Sequence, residues 1–160
     1  MATPSKKIED LLREKKIAQV INDRVVQAPP TISLKEAIQQ MQFYRSGYVI
    51  LTEDGIVIGI FTETDVVRKI FGQNVDLGRP VSEFMTKVLL SLSPQASIGE
   101  AIDLMAKNRV YHLPLTDENH RYMGMLSVRT LIRFLAAYYP TEIYNLPPDP
   151  QQVSHSAEGG

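Results

Sequence analysis

The sequence predicts a mixed α+β fold made of two copies of a β-α-β-β-α unit, with an extra helix at the N-terminus. Three observations predict it. Ser33, Glu36, Ala37, Ile38, Met41, Arg45 and Leu51 recur 64 residues on (33 to 97) as Ser97, Glu100, Ala101, Ile102, Met105, Arg109 and Leu115. After one inserted residue the offset becomes 65 (59 to 124), and Gly59, Thr62 and Arg68 recur as Gly124, Ser127 and Arg133. In both copies a helical apolar spacing gives way to strand-length apolar runs.

The elements follow in order. Residues 5–16 form an amphipathic helix whose apolar stripe is Ile8, Leu11 and Leu12. A short extended piece, residues 24–27, precedes the first repeat helix. That helix opens on a capping box, Ser33-Leu-Lys-Glu36, in which the hydroxyl caps the helix start and the Glu reaches back. Residues 48–51 are a buried strand, Glu53-Asp54-Gly55 a hairpin turn, and residues 56–61 the return strand. Thr62-Glu63-Thr64-Asp65 starts a second helix with Val66, Val67, Ile70 and Phe71 as its apolar face. Residues 72–86, with Gly72, Gly78 and Pro80, are a linker, and 87–92 is a second extended piece. The second copy has its capping box at Ser97 and Glu100, helix 98–108, strand 111–116, loop 117–121, strand 122–126 and helix 128–138.

These signals divide the chain into an N-terminal extension (1–22), repeat 1 (23–79), repeat 2 (80–139) and a Pro-rich tail (140–160), extended at best and disordered beyond about Pro150. A unit of about 50 residues buries too little surface to stand alone, so the copies are expected to pack sheet against sheet.

Composition excludes several classes. Net charge is −1, with 17 Lys+Arg against 18 Asp+Glu, so no basic stripe marks a nucleic-acid or anionic-membrane partner. There is no cysteine for disulfide, thiolate-metal or redox chemistry. His112, His120 and His155 are scattered, which argues against a metal cluster. No apolar run reaches the roughly 20 residues of a membrane span, and the start lacks a secretory h-region. A soluble cytoplasmic protein is expected. No Walker-type loop or His-carboxylate pairing points to an enzyme.

The chemistry concentrates where the second strand of each copy enters its helix. The first junction is Gly59-Ile60-Phe61-Thr62-Glu63-Thr64-Asp65, and the second is Gly124-Met-Leu-Ser127-Val-Arg129-Thr130. An acid stands three positions after the hydroxyl in the first copy, and a threonine in the second. A carboxylate presents two acceptor oxygens to the vicinal diol of a ribose, and a charged acceptor strengthens both bonds. Thr62 and the N–H groups of 63–65 lie at a helix N-terminus, where phosphate oxygens bind. Gly59 permits close approach of a planar base. Thr62-x-x-Asp65 is equally a capping box.

A tandem β-α-β-β-α repeat with Gly-h-h-Thr-x-x-Asp at that junction resembles the CBS (cystathionine β-synthase) domain pair, or Bateman module. Phe84-Met85-Thr86-Lys87 and Tyr111-His112-Leu113-Pro114-Leu115-Thr116-Asp117 resemble further marks of that family, and the likeness covers residues 20–136. It implies a pseudo-two-fold pair that forms homodimers, binds adenine nucleotides or related adenosyl ligands, and regulates an unidentified partner protein rather than catalyses. AMP, ADP or ATP is the expected ligand, with Mg²⁺ possible beside a polyphosphate. The alternative is a ligand-free interaction scaffold in which Thr62 and Asp65 only cap a helix.

The resemblance also implies that each pocket is completed by the other repeat. The Asp65 pocket, with Gly59, Ile60, Thr62, Thr64 and Arg68, would be faced by Lys87, Val88, Leu89, Arg109, Val110, Tyr111, His112 and Pro114. The Thr130 pocket, with Ser127, Arg129 and Arg133, would borrow Val25, Val26, Gln27, Gly47 and Tyr48. Tyr48, Tyr111, Tyr138 and Tyr139 are candidates to stack on a base. One threonine oxygen cannot match a diol bidentately. The Thr130 pocket is therefore expected to bind weakly, not at all, or through phosphates alone.

Overall fold

The computed structural model describes residues 4–21 and 26–138. Val25, Tyr139 and the Pro-rich tail lie outside the described residues. Helix α1 spans Pro4–Glu14 and is followed by a 3-10 helix at Ile17–Gln19. Repeat 1 contains β1 (Gln27–Ala28), α2 (Leu34–Tyr44), β2 (Tyr48–Glu53), β3 (Ile56–Thr62) and α3 (Glu63–Asp65), which continues as a π-helical turn, Val66–Ile70. A second 3-10 helix, Val81–Glu83, precedes β4 (Thr86–Lys87), α4 (Ile98–Asn108), β5 (His112–Thr116), β6 (Tyr122–Ser127) and α5 (Val128–Tyr138).

The expected local chemistry forms these elements. Ser33 Oγ accepts from Glu36 N at 3.1 Å while the Glu36 carboxylate accepts from Ser33 N at 2.8 Å. Ser97 and Glu100 repeat the box at 3.1 and 2.7 Å. Asp54 and Gly55 both take positive φ, 51° and 81°, as a two-residue hairpin turn demands. Strands run β1-β2-β3-β4 in one sheet, with β1 parallel to β2 and the other pairs antiparallel, and β5-β6 in the other.

Alternation along the strands gives each sheet two faces. Val49, Leu51 and Phe61 face one helical core, and Leu113, Leu115 and Leu126 face another. The opposite faces carry Tyr48 and Ile50 in repeat 1, and His112 and Met125 in repeat 2. The Tyr48 and His112 rings lie 5.4 Å apart, and Ile50 and Met125 are buried without belonging to either core. The two sheets therefore meet along a seam.

Several sequence expectations are corrected. Residues 72–86 are not a mere linker. The 3-10 helix Val81–Glu83 docks on repeat 1, with Val81 N donating to Ile32 O at 2.8 Å and Leu34 N to Arg79 O at 2.9 Å. Its counterpart 64 positions earlier, Ile17–Gln19, docks on repeat 2, with Ile17 N donating to Ala96 O at 3.0 Å and Ile98 N to Lys15 O at 3.0 Å. Val81 and Ile17 are fully buried, each in the core of the repeat it docks on. The molecule thus has two helical cores besides the seam, and an opening segment is exchanged into each. Helix α1 also belongs to the second core, where Leu11 and Leu12 pack.

The second helix of repeat 1 also differs from expectation. Phe71 N donates to Val66 O at 2.9 Å, a five-residue step that ends the helix. Phe71 is then extended and 79% exposed, and Val67 is 67% exposed, so only Ile70 and Val66 of the expected apolar face pack inward. Of the expected extended piece 87–92, Lys87 joins Thr86 in pairing with β3, and Leu92 bridges to Leu115.

Candidate functional site

A cleft of about 840 Å³ opens between the repeats, within the range of roughly 300–1,000 Å³ typical of small-molecule sites. Repeat 1 lines it with the end of α2 and the start of β2 (Tyr44, Arg45, Ser46, Gly47 and Tyr48), with Val26, and with the β3–α3 junction (Thr62, Glu63 and Thr64). Repeat 2 contributes Tyr111, His112, Met125, the β6–α5 junction (Ser127, Val128, Arg129 and Thr130) and Arg133.

Local folding places these groups. Ser127 Oγ accepts from Thr130 N at 3.2 Å and shares a hydrogen bond with Thr130 Oγ1 at 3.1 Å, which starts α5. Corresponding backbone bonds tie each junction to its own sheet. Glu63 N donates to Gly47 O at 3.0 Å, and Val128 N to Tyr111 O at 3.1 Å. The remaining first-turn N–H groups have no intrahelical acceptor, so both helix starts bring donors and a partial positive charge to the cleft. Arg45 sits there because it closes α2 in the left-handed conformation, φ 49°.

Arg45, Arg129 and Arg133 carry the cleft's fixed positive charge, and Glu63 is its only acidic lining residue among the described residues. Burial lowers the pKa of His112, with the Glu63 charge opposing it. Burial raises the pKa of Tyr48. The Tyr122 hydroxyl is buried beside Tyr48, and burial raises its pKa as well. The arrangement suits an anion with a planar, partly apolar body.

The structure brings together residues from both pockets foreseen in the sequence: Thr62, Thr64, Tyr111 and His112 from one, Tyr48, Ser127, Arg129 and Thr130 from the other. Asp65 does not line this cleft. It is 6% exposed, and both carboxylate oxygens are engaged. Oδ2 accepts from Thr62 N at 2.9 Å and Thr62 Oγ1 at 3.1 Å. Oδ1 pairs with Lys69 Nζ at 2.8 Å and accepts from Thr86 Oγ1 at 3.3 Å.

The other foreseen residues also lie apart from the cleft. Gly59 and Ile60 pair with Lys87 and Thr86, and Met85 fills the space over Gly59, where an added Cβ would collide with it. Arg68 and Arg109 are exposed, Leu89 is 88% exposed, Val88 and Val110 are half-buried, and Pro114 is buried within β5. Tyr138 packs against Phe134, with ring centroids 4.8 Å apart and the planes tilted by 49°. Gln27 lies in a separate groove beside Glu36, Phe43 and Tyr44.

Sequence reasoning passed over Tyr44, Arg45, Ser46, Glu63, Met125 and Val128. The repeat offset carried a signal for one of them: Arg45 is the counterpart of Arg109, itself expected to face the Asp65 pocket.

Comparison with known proteins agrees with this architecture. The CBS domain family model matches residues 17–72 and 81–137. The "uncharacterized 17.7 kDa protein in bps2 3′ region" of Acidianus ambivalens is 31% identical over 121 residues, covering 75% of this chain and 73% of that one. The CBS domain-containing protein YhcV of Bacillus subtilis is 29% identical over 104 residues, covering 65% and 74%. The crystal structure of the CBS domain pair of protein MJ0100, in complex with 5′-methylthioadenosine and S-adenosyl-L-methionine, matches with a TM-score of 0.70 at 19% identity. It covers 78% of this chain and 98% of that one, a likeness of fold.

Proposed function

The chain belongs to the CBS domain family, and from that premise we propose that it is a regulatory module whose inter-repeat cleft binds an adenine nucleotide, AMP, ADP or ATP. The observation that carries the reading is the convergence of two helix starts and Arg45, Arg129 and Arg133 on one cleft lined by Tyr44, Tyr48 and Tyr111. The arginines and helix starts supply phosphate donors, and the tyrosines supply faces for a base. That the MJ0100 pair holds two adenosyl compounds makes adenosine the body to test first. The positive lining here favours a phosphorylated one.

Phosphates lead the binding in this reading. Asp65, the ribose acceptor expected from the motif, is occupied by its cap and by Lys69. Signalling follows if the ligand prefers one arrangement of the module over another. A second copy is the expected partner in that arrangement, through the exposed apolar side chains Val67, Phe71 and Ile132.

One observation favours the ligand-free scaffold instead: the cap alone accounts for Thr62 and Asp65. Thermal unfolding across a panel of AMP, ADP, ATP, adenosine and inorganic phosphate separates the readings, since a ligand that binds only the folded state raises Tm. Nucleotide binding predicts a rise with AMP, ADP or ATP that shrinks in Arg129→Ala and Arg133→Ala. No rise with any compound supports the scaffold and contradicts the nucleotide reading.

A further inference from the structure

Glu63 stands out in a cleft otherwise built for anions. Among the described residues it forms no ion pair, although three arginines line the same cleft. Its place is defined by the backbone. It opens α3, its N–H is held by Gly47 O at 3.0 Å, and a Cβ added at Gly47 would sit 3.2 Å from its Oε2. The missing side chain at Gly47 leaves the carboxylate lying against the start of β2, inside the cleft and exposed. The repeat equivalent of Glu63, 65 residues on, is the apolar Val128. Only one side of the cleft therefore carries the acid.

An unpaired carboxylate weakens the binding of a phosphate placed beside it. It suits a neutral group with two adjacent donors, because it offers two acceptor oxygens and a full charge. No other lining residue does this. Thr130 has a single hydroxyl, already engaged with Ser127 Oγ at 3.1 Å, and the Asp65 oxygens are taken by Thr62, Lys69 and Thr86.

We propose that Glu63 is the ribose-recognising residue of the cleft, accepting both diol hydroxyls of a nucleotide whose phosphate lies toward Ser127, Arg129 and Arg133. The carboxylate lost from the second repeat's own motif is replaced by one from the facing repeat. This fixes the ligand's direction and makes the site selective for ribonucleotides. It rests on the nucleotide reading of the cleft.

The test is calorimetric titration of AMP and of 2′,3′-dideoxy-AMP into the wild-type chain, Glu63→Gln and Glu118→Gln. Glu118, exposed in the second hairpin and outside the cleft lining, controls for loss of charge alone. Wild type and Glu118→Gln are expected to favour AMP by about tenfold or more, the usual scale for charged hydrogen bonds. Glu63→Gln is expected to lose that preference through weaker AMP binding, with dideoxy-AMP affinity unchanged or slightly higher. Unchanged thermal unfolding of the variant separates this from misfolding. A sugar preference that survives in Glu63→Gln, or AMP binding without sugar preference in wild type, overturns the assignment but leaves the nucleotide reading standing. No binding of AMP, ADP or ATP by wild type overturns both, and where only ADP or ATP binds, the same comparison is made with its 2′,3′-dideoxy form.

Discussion

At the scale of single residues, one spacing supported two uses, and the structure shows which contacts it makes. Thr62 and Asp65 stand where a capping box puts them, and that much was legible from the sequence. What was not legible is the occupation of Oδ1 by Lys69 and Thr86. Thr86 reaches Asp65 only because β4 crosses to pair with β3. His112 was legible as a site residue, and its burial against Tyr48 gives it a testable titration. Its pKa lies below the ordinary imidazole value, first because of burial, so the folded state disfavours the charged imidazole. The unfolded chain then takes up the proton first as pH falls. The stability that a neutral His112 allows is complete above about pH 6.5 and declines as pH drops toward the lower folded value. A bound phosphate opposes that trend by favouring imidazolium. AMP affinity is therefore expected to gain more between about pH 8 and about pH 6 in wild type than in His112→Gln. Calorimetry at a series of pH values measures the difference, and parallel profiles would contradict a role for His112 in phosphate binding.

At the scale of elements, capping boxes, the Asp54-Gly55 hairpin and the helices 98–108 and 128–138 were legible because each rests on local chemistry. The 3-10 helices Ile17–Gln19 and Val81–Glu83 were not. Each is three residues long and too short to show a period. Each is held by backbone bonds to a distant segment, Ala96 for Ile17 and Ile32 for Val81. The early end of the first repeat's second helix was hidden likewise, since a π-helical turn shifts Val67 and Phe71 off the buried face. The exchange of opening segments has an energetic consequence. Ile17 is completely buried in the second core, so truncating it leaves a cavity there. Ile17→Ala is expected to cost about 2–4 kcal/mol of unfolding free energy. Hydrogen exchange should rise first in α4 and β5 of repeat 2, although the residue opens the first matched repeat, 17–72, in sequence. Greater loss of protection in α2 and β2 would contradict the exchanged arrangement.

At the scale of the whole molecule, the duplication made the fold readable from sequence. It did not show how the two halves would share their sites. The sequence suggested one strong pocket at Asp65 and one weakened pocket at Thr130. The structure instead gathers Thr62 and Thr64 of the first set with Ser127 and Thr130 of the second around one cleft. The reason is geometric: the sheets meet along the Tyr48–His112 seam, which brings both strand-to-helix junctions to one opening. A chain of net charge −1 thereby concentrates three arginines and two helix starts at a single place. The most direct test of nucleotide binding there is a titration of AMP, ADP and ATP in turn, followed by backbone amide NMR shifts. Saturable shifts are predicted at Gly47, Thr64, Tyr111 and residues 127–130. Shifts confined to the Gly59–Lys87 side of the molecule, or none at all, would contradict the account.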